Sequence, residues 1–560
     1  MKENERMIEP EMNPYDHLIE PDAAPVRSPV ILGNADEPEK AIKSGSSMEI
    51  IPLASGADYS KITVREYRCI DVINVEVEED LLVPDTYPDM ETILNMDALA
   101  VDTDIYTENG ESEIKGKVTL ETLYRSDETY GSNLSLLPAE LDFKTNLKTT
   151  GQIYLHIQIR KVEYRIMNER KYKAKVSLVI SVKCQNETEH MLFEGIEGET
   201  LHVHKEKVNL LDMVSRKTDS CDISGELLLN DEKIRPVKIL KSKVTVAENH
   251  RQLTKEKLVL NQTLWVRVLY MAEISSKGNL SNQAMFFQGK IDNTQFISLG
   301  KSEGEAVSCT STSAAENMKI EINREFNGFE LSGEVVTDVI CYGIVKNEMV
   351  TDFYHDKEEM TCDRNIRKVY TDAAGLFAEH TVRESISLQQ GSGEELRIIY
   401  LDAQPVDTMV EIEGMSAVVR GKLHLEAVIM NEGDYTILAK KICDFTCVKE
   451  LPQRAAGQIE TDCIFVREIT GDISGSNVNL TAQIQVNMNI YNEAEIEHIN
   501  NPCIIRSGVP AKHYPITVHT VMEGETVWDI GKKYKVSGER VTEYNSEENI
   551  RPGKKIIIVK

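Results

Sequence analysis

Six carboxylates fall within fourteen residues near the start of the chain: Glu76, Glu78, Glu79, Asp80, Asp85 and Asp89. Carboxylates this dense can hold calcium or divide general acid and base roles between them. Glu76 and Glu78 are two apart and share one face of a strand. Pro84 and Pro88 break the run, however, and prolines so placed fix turns, so a solvated strand edge leading into a fixed turn explains the same residues. His202 and His204, in Leu-His-Val-His-Lys, also share a strand face and could begin a zinc site. No cysteine or carboxylate is tied to them by spacing, and the alternative is a surface edge strand. Cys443 and Cys447, four apart on a strand-like segment, face the same way and suit either a redox or metal pair or buried packing. Gly391-Ser-Gly393-Glu-Glu is the one glycine-rich candidate for a phosphate cradle. It lacks the Lys-Ser/Thr and the following helix that a P-loop needs. No G-x-S-x-G elbow and no H-E-x-x-H is present. These residues lead us to expect no catalytic residue, no resident metal, no cofactor and no enzyme activity.

Composition narrows the partners. The 560 residues exceed what one core holds, so several domains are expected. The net charge of −29 argues against nucleic acid and anionic membrane surfaces. Residues 514–560 hold eight basic and seven acidic side chains, so the negative charge lies in the preceding body. An almost neutral segment on an acidic body can touch partners that the body repels. No apolar run approaches a membrane span, and no basic-then-apolar leader follows Met1. The ten cysteines are scattered without a C-x-x-C, which fits a reducing compartment.

The elements that must position these residues are mostly strands. Residues 1–64 are rich in proline and acids and read as a flexible tail, in which Tyr15-Asp16-His17-Leu18-Ile19 is either a short binding motif or inert. Beyond it, Lys117–Tyr124, Lys173–Cys184, Leu260–Tyr270, Leu331–Tyr342, Lys422–Ile429 and Asn479–Tyr491 alternate apolar and polar residues, the period of half-buried strands. The expected class is mainly β, built from antiparallel sheets. Self-comparison points to repeats. Leu81-Leu82, Asp85, Ile93-Leu94 and Leu123-Tyr124 recur 146 residues later as Leu227-Leu228, Asp231, Ile239-Leu240 and Leu269-Tyr270. A shift of 305 brings Ile93-Leu94 onto Ile398-Ile399, and Gly116-Lys117 onto Gly421-Lys422. Three diverged copies of one β-domain are expected, over 65–215, 216–360 and 361–508, with a small module over 514–560.

That module reads clearly. Ile516 to Met522 alternates as a strand, Gly524 supplies a turn, and Thr526 is a suitable N-cap. Val527, Ile530, Gly531 and Tyr534 then recur at helical spacing, with Asp529 in the first turn and Lys532, Lys533 and Lys535 in the last, matching the helix dipole. Ser537 caps a second short helix carrying Val541 and Tyr544, and Pro552-Gly553 turns into the closing strand Lys555–Val559.

This order of elements resembles a LysM module, a β-α-α-β unit that binds N-acetylated glycans and is reused to bind proteins. The resemblance places the groove between Gly524, Glu525, Thr526 and Val527 on one wall, and Asn549, Ile550, Arg551, Pro552 and Gly553 on the other. Trp528 is either a packing residue or a contact aromatic. Glu525 stands where Asp is common, and Gly531 where a small helix-forming residue is usual.

Upstream, Asn74-Val-Glu-Val-Glu-Glu-Asp80, Leu-Leu-Val-Pro-Asp-Thr-Tyr-Pro-Asp89 and Met-Glu-Thr-Ile-Leu94 resemble the SPOCS domain of clostridial spore-envelope proteins. The second and third copies keep the apolar frame but lose both prolines. SPOCS copies followed by LysM resemble the layout of SipL-like spore coat morphogenetic proteins. That resemblance implies a protein of the mother-cell cytoplasm at the forespore surface and spore coat. Its module would dock a SpoIVA-type ATPase through surface including Trp528, Lys532, Lys533 and Arg551. The alternative is a peptidoglycan- or chitin-like-glycan-binding protein of the cortex or wall. A wall hydrolase with a LysM targeting unit would need a catalytic domain that the residues do not reveal.

Overall fold

The structure, a computed structural model, describes residues 49–52, 56–108, 111–126, 133–148, 152–197, 201–276, 279–299, 306–388, 396–431, 436–451, 457–506 and 514–560. The Tyr15–Ile19 motif and Gly391-Ser-Gly393-Glu-Glu lie outside them. Residues 49–506 and 511–560 belong to one unit by their contacts.

Alternation of apolar side chains builds long strands. β1 (Glu49–Pro52) precedes β2 (Ala57–Leu82), β3 (Met90–Glu108), β4 (Glu111–Ser126), β5 (Leu134–Lys148), β6 (Gln152–Asn168) and β7 (Lys171–Ile196). Next come β8 (Leu201–Leu228), β9 (Ile234–Leu253), β10 (Lys257–Ser276), β11 (Asn279–Ser298), β12 (Ser308–Ile322) and β13 (Gly328–His355). The last six strands of the body are β14 (Glu359–Ser387), β15 (Leu396–Glu413), β16 (Ser416–Asn431), β17 (Thr436–Glu450), β18 (Gly457–Ser474) and β19 (Asn477–Arg506). All pairings are antiparallel. The chain is mainly β.

One pattern occurs three times. Within each run of six strands, the first, sixth and fifth form one sheet and the second, third and fourth another: β2-β7-β6 with β3-β4-β5, β8-β13-β12 with β9-β10-β11, and β14-β19-β18 with β15-β16-β17. Along β7, Tyr172, Ala174, Val176, Leu178, Ile180, Val182 and Cys184 are buried in strict alternation. The first six of them, Tyr172 to Val182, meet Val118, Leu120 and Tyr124 of β4 in one core, as sheet-on-sheet packing requires. The strands do not respect the 215/216 boundary, because β8 runs unbroken through it. Part of the 1–64 stretch expected as tail is strand: β1 pairs with β19, and β2 begins at Ala57, while residues 1–48 lie outside the described residues.

Positions related by the 146 and 305 shifts meet in space. Leu94, Leu240 and Ile399 share one core with Leu123, Leu269 and Val428. Beside it lies an ionic network that obeys the same shifts. Lys243 lies 3.0 Å from Asp97 and 3.3 Å from Asp402, and Arg267 lies 3.3 Å from Asp402. Lys241, with no exposed side-chain surface, bonds to Asn95 and sits 2.7 Å from Asp97. The cations come from the second run of strands and the carboxylates from the first and third. Identical copies would bring three like charges together here, which low dielectric forbids.

Candidate functional site

The sequence-singled chemistry inside the body resolves into packing and pairing. Glu76, Glu78 and Asp80 pair across the sheet with Lys175, Lys173 and Lys171. The Val83–Asp89 turn is held by Arg170, which donates to the Pro84 and Tyr87 carbonyls at 3.2 and 2.7 Å and pairs with Asp89. Cys443 and Cys447 share a face of β17 and pack in one core; burial pushes both thiols up. His202 bonds Asp356 at 2.7 Å and lies against Tyr354. Among the described residues, no group of three or more His, Cys, Asp and Glu is placed to hold a metal ion.

In the buried network Asp97 is the informative titrating group. Burial alone would raise its pKa, but Lys241 and Lys243 outweigh that and hold it far below the usual carboxylate range. Lys243 is raised above the usual lysine range, because Asp402 and Asp97 outweigh its burial. Charges locked this way neither give nor take protons near neutrality, as general acid–base work requires.

The C-terminal module begins with β20 (Ile516–Thr520), paired antiparallel with β21 (Lys555–Val559). Between them lie α1 (Val527–Tyr534), α2 (Gly538–Glu543) and a 3-10 turn over Glu547–Asn549. Thr526 and Asp529 make a capping box, each side chain taking the other's backbone amide. Ser537 caps α2 through the Arg540 amide. Val521, Ile530, Val536, Val541, Ile556 and Ile558 form the core, each worth about 1.5–3 kcal/mol when fully buried.

The two loops expected to wall the groove are held side by side. The Gly553 amide donates to the Val521 carbonyl at 2.8 Å, and the Val521 amide to the Lys554 carbonyl at 3.0 Å. Gly524 and Gly553 have φ of +79° and +81°, the left-handed turns that favour glycine. Gly524, Thr526, Asn549, Arg551, Pro552 and Gly553 are exposed, while Val527 and Ile550 are half-buried against the core.

Glu525 does not face the groove as the resemblance had it. Its Oε2 accepts from His519 Nε2 at 2.7 Å and from the Met522 amide at 2.9 Å, and Tyr534 closes the network on His519 Nδ1. Burial would raise Glu525, but the Met522 and His519 donors outweigh it and keep the carboxyl low. It is a brace for the first loop, with Lys533 3.7 Å away.

Trp528 and Lys532 also face elsewhere, onto the body. Trp528 Nε1 donates to Asp352 Oδ2 at 2.9 Å, and Lys532 Nζ reaches both Asp352 oxygens at 2.8 and 2.7 Å. The indole lies between His204 and Tyr354, with ring centroids 5.2 and 4.9 Å away. Tyr354 donates to the Val536 carbonyl at 2.8 Å. Trp528 is therefore a packing aromatic, and of the cations expected on a partner surface Lys532 is bound to Asp352, whereas Lys533 lies 3.7 Å from Glu525 and Arg551 is exposed. Asp352 also receives Arg364 at 3.1 Å; burial would raise it, but the Lys532 and Trp528 bonds keep it ionised. Asp352 and Tyr354 carried no signal in the sequence, since each is one polar or aromatic residue on an alternating strand.

Residues 519–559 match the LysM domain family model. No curated protein matches the chain, and no solved structure does. No helix among the described residues is long and apolar enough to cross a membrane.

Proposed function

We propose that the chain is a non-catalytic glycan-binding protein. Its LysM groove, between Gly524–Val527 and Asn549–Gly553, takes a polymer containing N-acetylglucosamine, and the strand-built body holds the module. One observation carries the reading: in a segment matching LysM, both groove loops stay exposed while the α1 face bearing Trp528 and Lys532 is engaged by the body. Loop amides and carbonyls can read an acetamide, and Val527 and Ile550 offer apolar surface to a sugar face. The test is co-sedimentation of the full chain with purified peptidoglycan. Chitin oligomers should compete, and Ile550→Asp should abolish binding. Failure of the intact protein to sediment would remove the reading, and release of reducing sugars from the pellet would remove its non-catalytic part.

A second reading rests on the SPOCS-like text of residues 74–94. In it the module docks a basal coat protein of the SpoIVA-type ATPase class, at the forespore surface in the mother-cell cytoplasm, and the chain assembles spore coat. Trp528 and Lys532 are then unavailable while the module stays docked, leaving Lys533 and Arg551 for that partner. Capture of such an ATPase by the full chain, lost on deleting 514–560 and on Lys533→Glu/Arg551→Glu, would favour this reading over glycan.

A further inference from the structure

A cleft of about 980 Å³ lies between α1 and the body. Thr526 and Val527, which wall the groove, also line this cleft. Its apolar lining is Val208 and Met349, from the paired strands β8 and β13 of one sheet, and Ile496, from β19 of another, all three nearly fully buried. Asn209 and Thr371 stand among its polar lining, with the Asn209 side chain exposed. An apolar floor with amide and hydroxyl groups around it suits a sugar ring, which presents C–H bonds on its face and hydroxyls at its edge.

Charge narrows the ligand. Glu206, Asp352, Glu495, Glu497 and Asp529 line the cleft. Against these five carboxylates stand three cations, Lys207, Arg364 and Lys532, and two of the three are spent on Asp352 and Glu497. A carboxylate-bearing ligand would meet net repulsion.

We propose that this cleft is a second saccharide-binding segment, continuous with the LysM groove at Thr526 and Val527, which takes uncharged N-acetylated glycan and disfavours glycan bearing acidic peptide. The proposal rests on the glycan reading of the groove. The docked module is what forms the site, since neither α1 nor the body encloses it alone. A chain lying in the groove gains the extra contacts only when long enough to run past Thr526 onto the Val208, Met349 and Ile496 floor.

The test is calorimetric titration of the full-length protein with chitotriose, chitohexaose and a peptide-bearing muropeptide oligomer. Chitohexaose should bind at least about 10-fold tighter than chitotriose. Asn209→Trp, which fills the cleft from its rim, should bring the two within about 2-fold while chitotriose affinity stays unchanged. Glu495→Lys should improve the peptide-bearing oligomer relative to chitohexaose. Equal affinity for the two chitin oligomers in the unaltered protein would overturn the cleft and leave the groove reading intact. An unchanged hexaose preference in Asn209→Trp would do the same. Binding of neither oligomer would overturn both readings.

Discussion

The Tyr354 hydroxyl lies 2.7 Å from where a Cβ on Gly531 would stand, and it donates past that point to the Val536 carbonyl at 2.8 Å. The glycine that departs from the usual LysM residue is thus explained by the body: only a residue without a side chain lets the hydroxyl reach the Val536 carbonyl just past the end of α1. The same Cβ would sit 2.8 Å from the Val536 oxygen itself. Gly531→Ala should therefore weaken both module and docking, by about 1–3 kcal/mol as overpacking does. Limited proteolysis of the full chain checks it, with faster cleavage expected within 514–560.

Asp352→Ala separates docking from module folding. It removes the acceptor shared by Trp528, Lys532 and Arg364 without touching the module core. Because Lys532 is nearly half exposed, the loss should be only about 1–2 kcal/mol. With Trp265→Phe silencing the other indole, the Trp528 emission should shift to the red. An unchanged spectrum would show that the module does not rest on Asp352.

Lys241→Met tests the buried network. It leaves Asp97 with Lys243 alone and strips Asn95 of its ammonium partner. Breaking a buried ion pair by removing one side costs about 3–5 kcal/mol, so denaturant midpoints should fall accordingly. Asp97 is held below its ordinary range, so its contribution is present above the unfolded value of about 3.9 and is lost as pH falls through and below it. The variant should flatten that acid limb.

His190 of β7 and His498 of β19 lie nearly parallel with centroids 6.0 Å apart, both buried. Neither His190 nitrogen and not His498 Nε2 has a partner among the described residues. Burial lowers both pKa values first; His498 and Arg367 lower His190 further despite Glu66, and Arg367 lowers His498 despite the Met191 carbonyl. The unfolded chain therefore takes up protons first, and stability is full above about pH 6.5 and declines below it. His190→Leu/His498→Leu should reduce the drop in melting temperature between pH 7.5 and 5.5; an unaltered drop would place the sensitive groups elsewhere.

Gly524 and Gly553 make the turns of the two groove loops with φ near +80°, and a Cβ on either meets nothing within 4 Å. Any loss in Gly553→Ala is then conformational rather than a clash with a neighbour, on the order of 1–2 kcal/mol. Glycan affinity of the full chain should fall while the melting of the body stays unchanged.

Each strand of the body that alternation revealed is the middle member of its sheet: Lys117–Tyr124 lies in β4, Lys173–Cys184 in β7, Leu260–Tyr270 in β10, Leu331–Tyr342 in β13, Lys422–Ile429 in β16 and Asn479–Tyr491 in β19. Central strands are paired on both sides and bury one face fully, so selection for burial writes the period of two plainly. Edge strands such as β14 carry unbroken exposed stretches, as over residues 363–368, that interrupt the period. The β-α-α-β module was legible for a similar reason: its caps at Thr526 and Ser537, its turn glycines and its core repeat are local, and local chemistry survives in linear order.

Tertiary structure alone decided where the module points. In sequence Lys532 read as a contact residue and Trp528 stayed open between packing and contact, because a helix face looks the same whether it meets water or protein. Their partners, Asp352 and Tyr354, lie some 180 residues away on β13. The buried network was hidden likewise: Asp97, Lys243 and Asp402 are ordinary charges in sequence. Packing the three strand runs together removes water from them, and pairing then becomes obligatory. Burial by remote segments is set by how the sheets close on one another, and no local spacing records it.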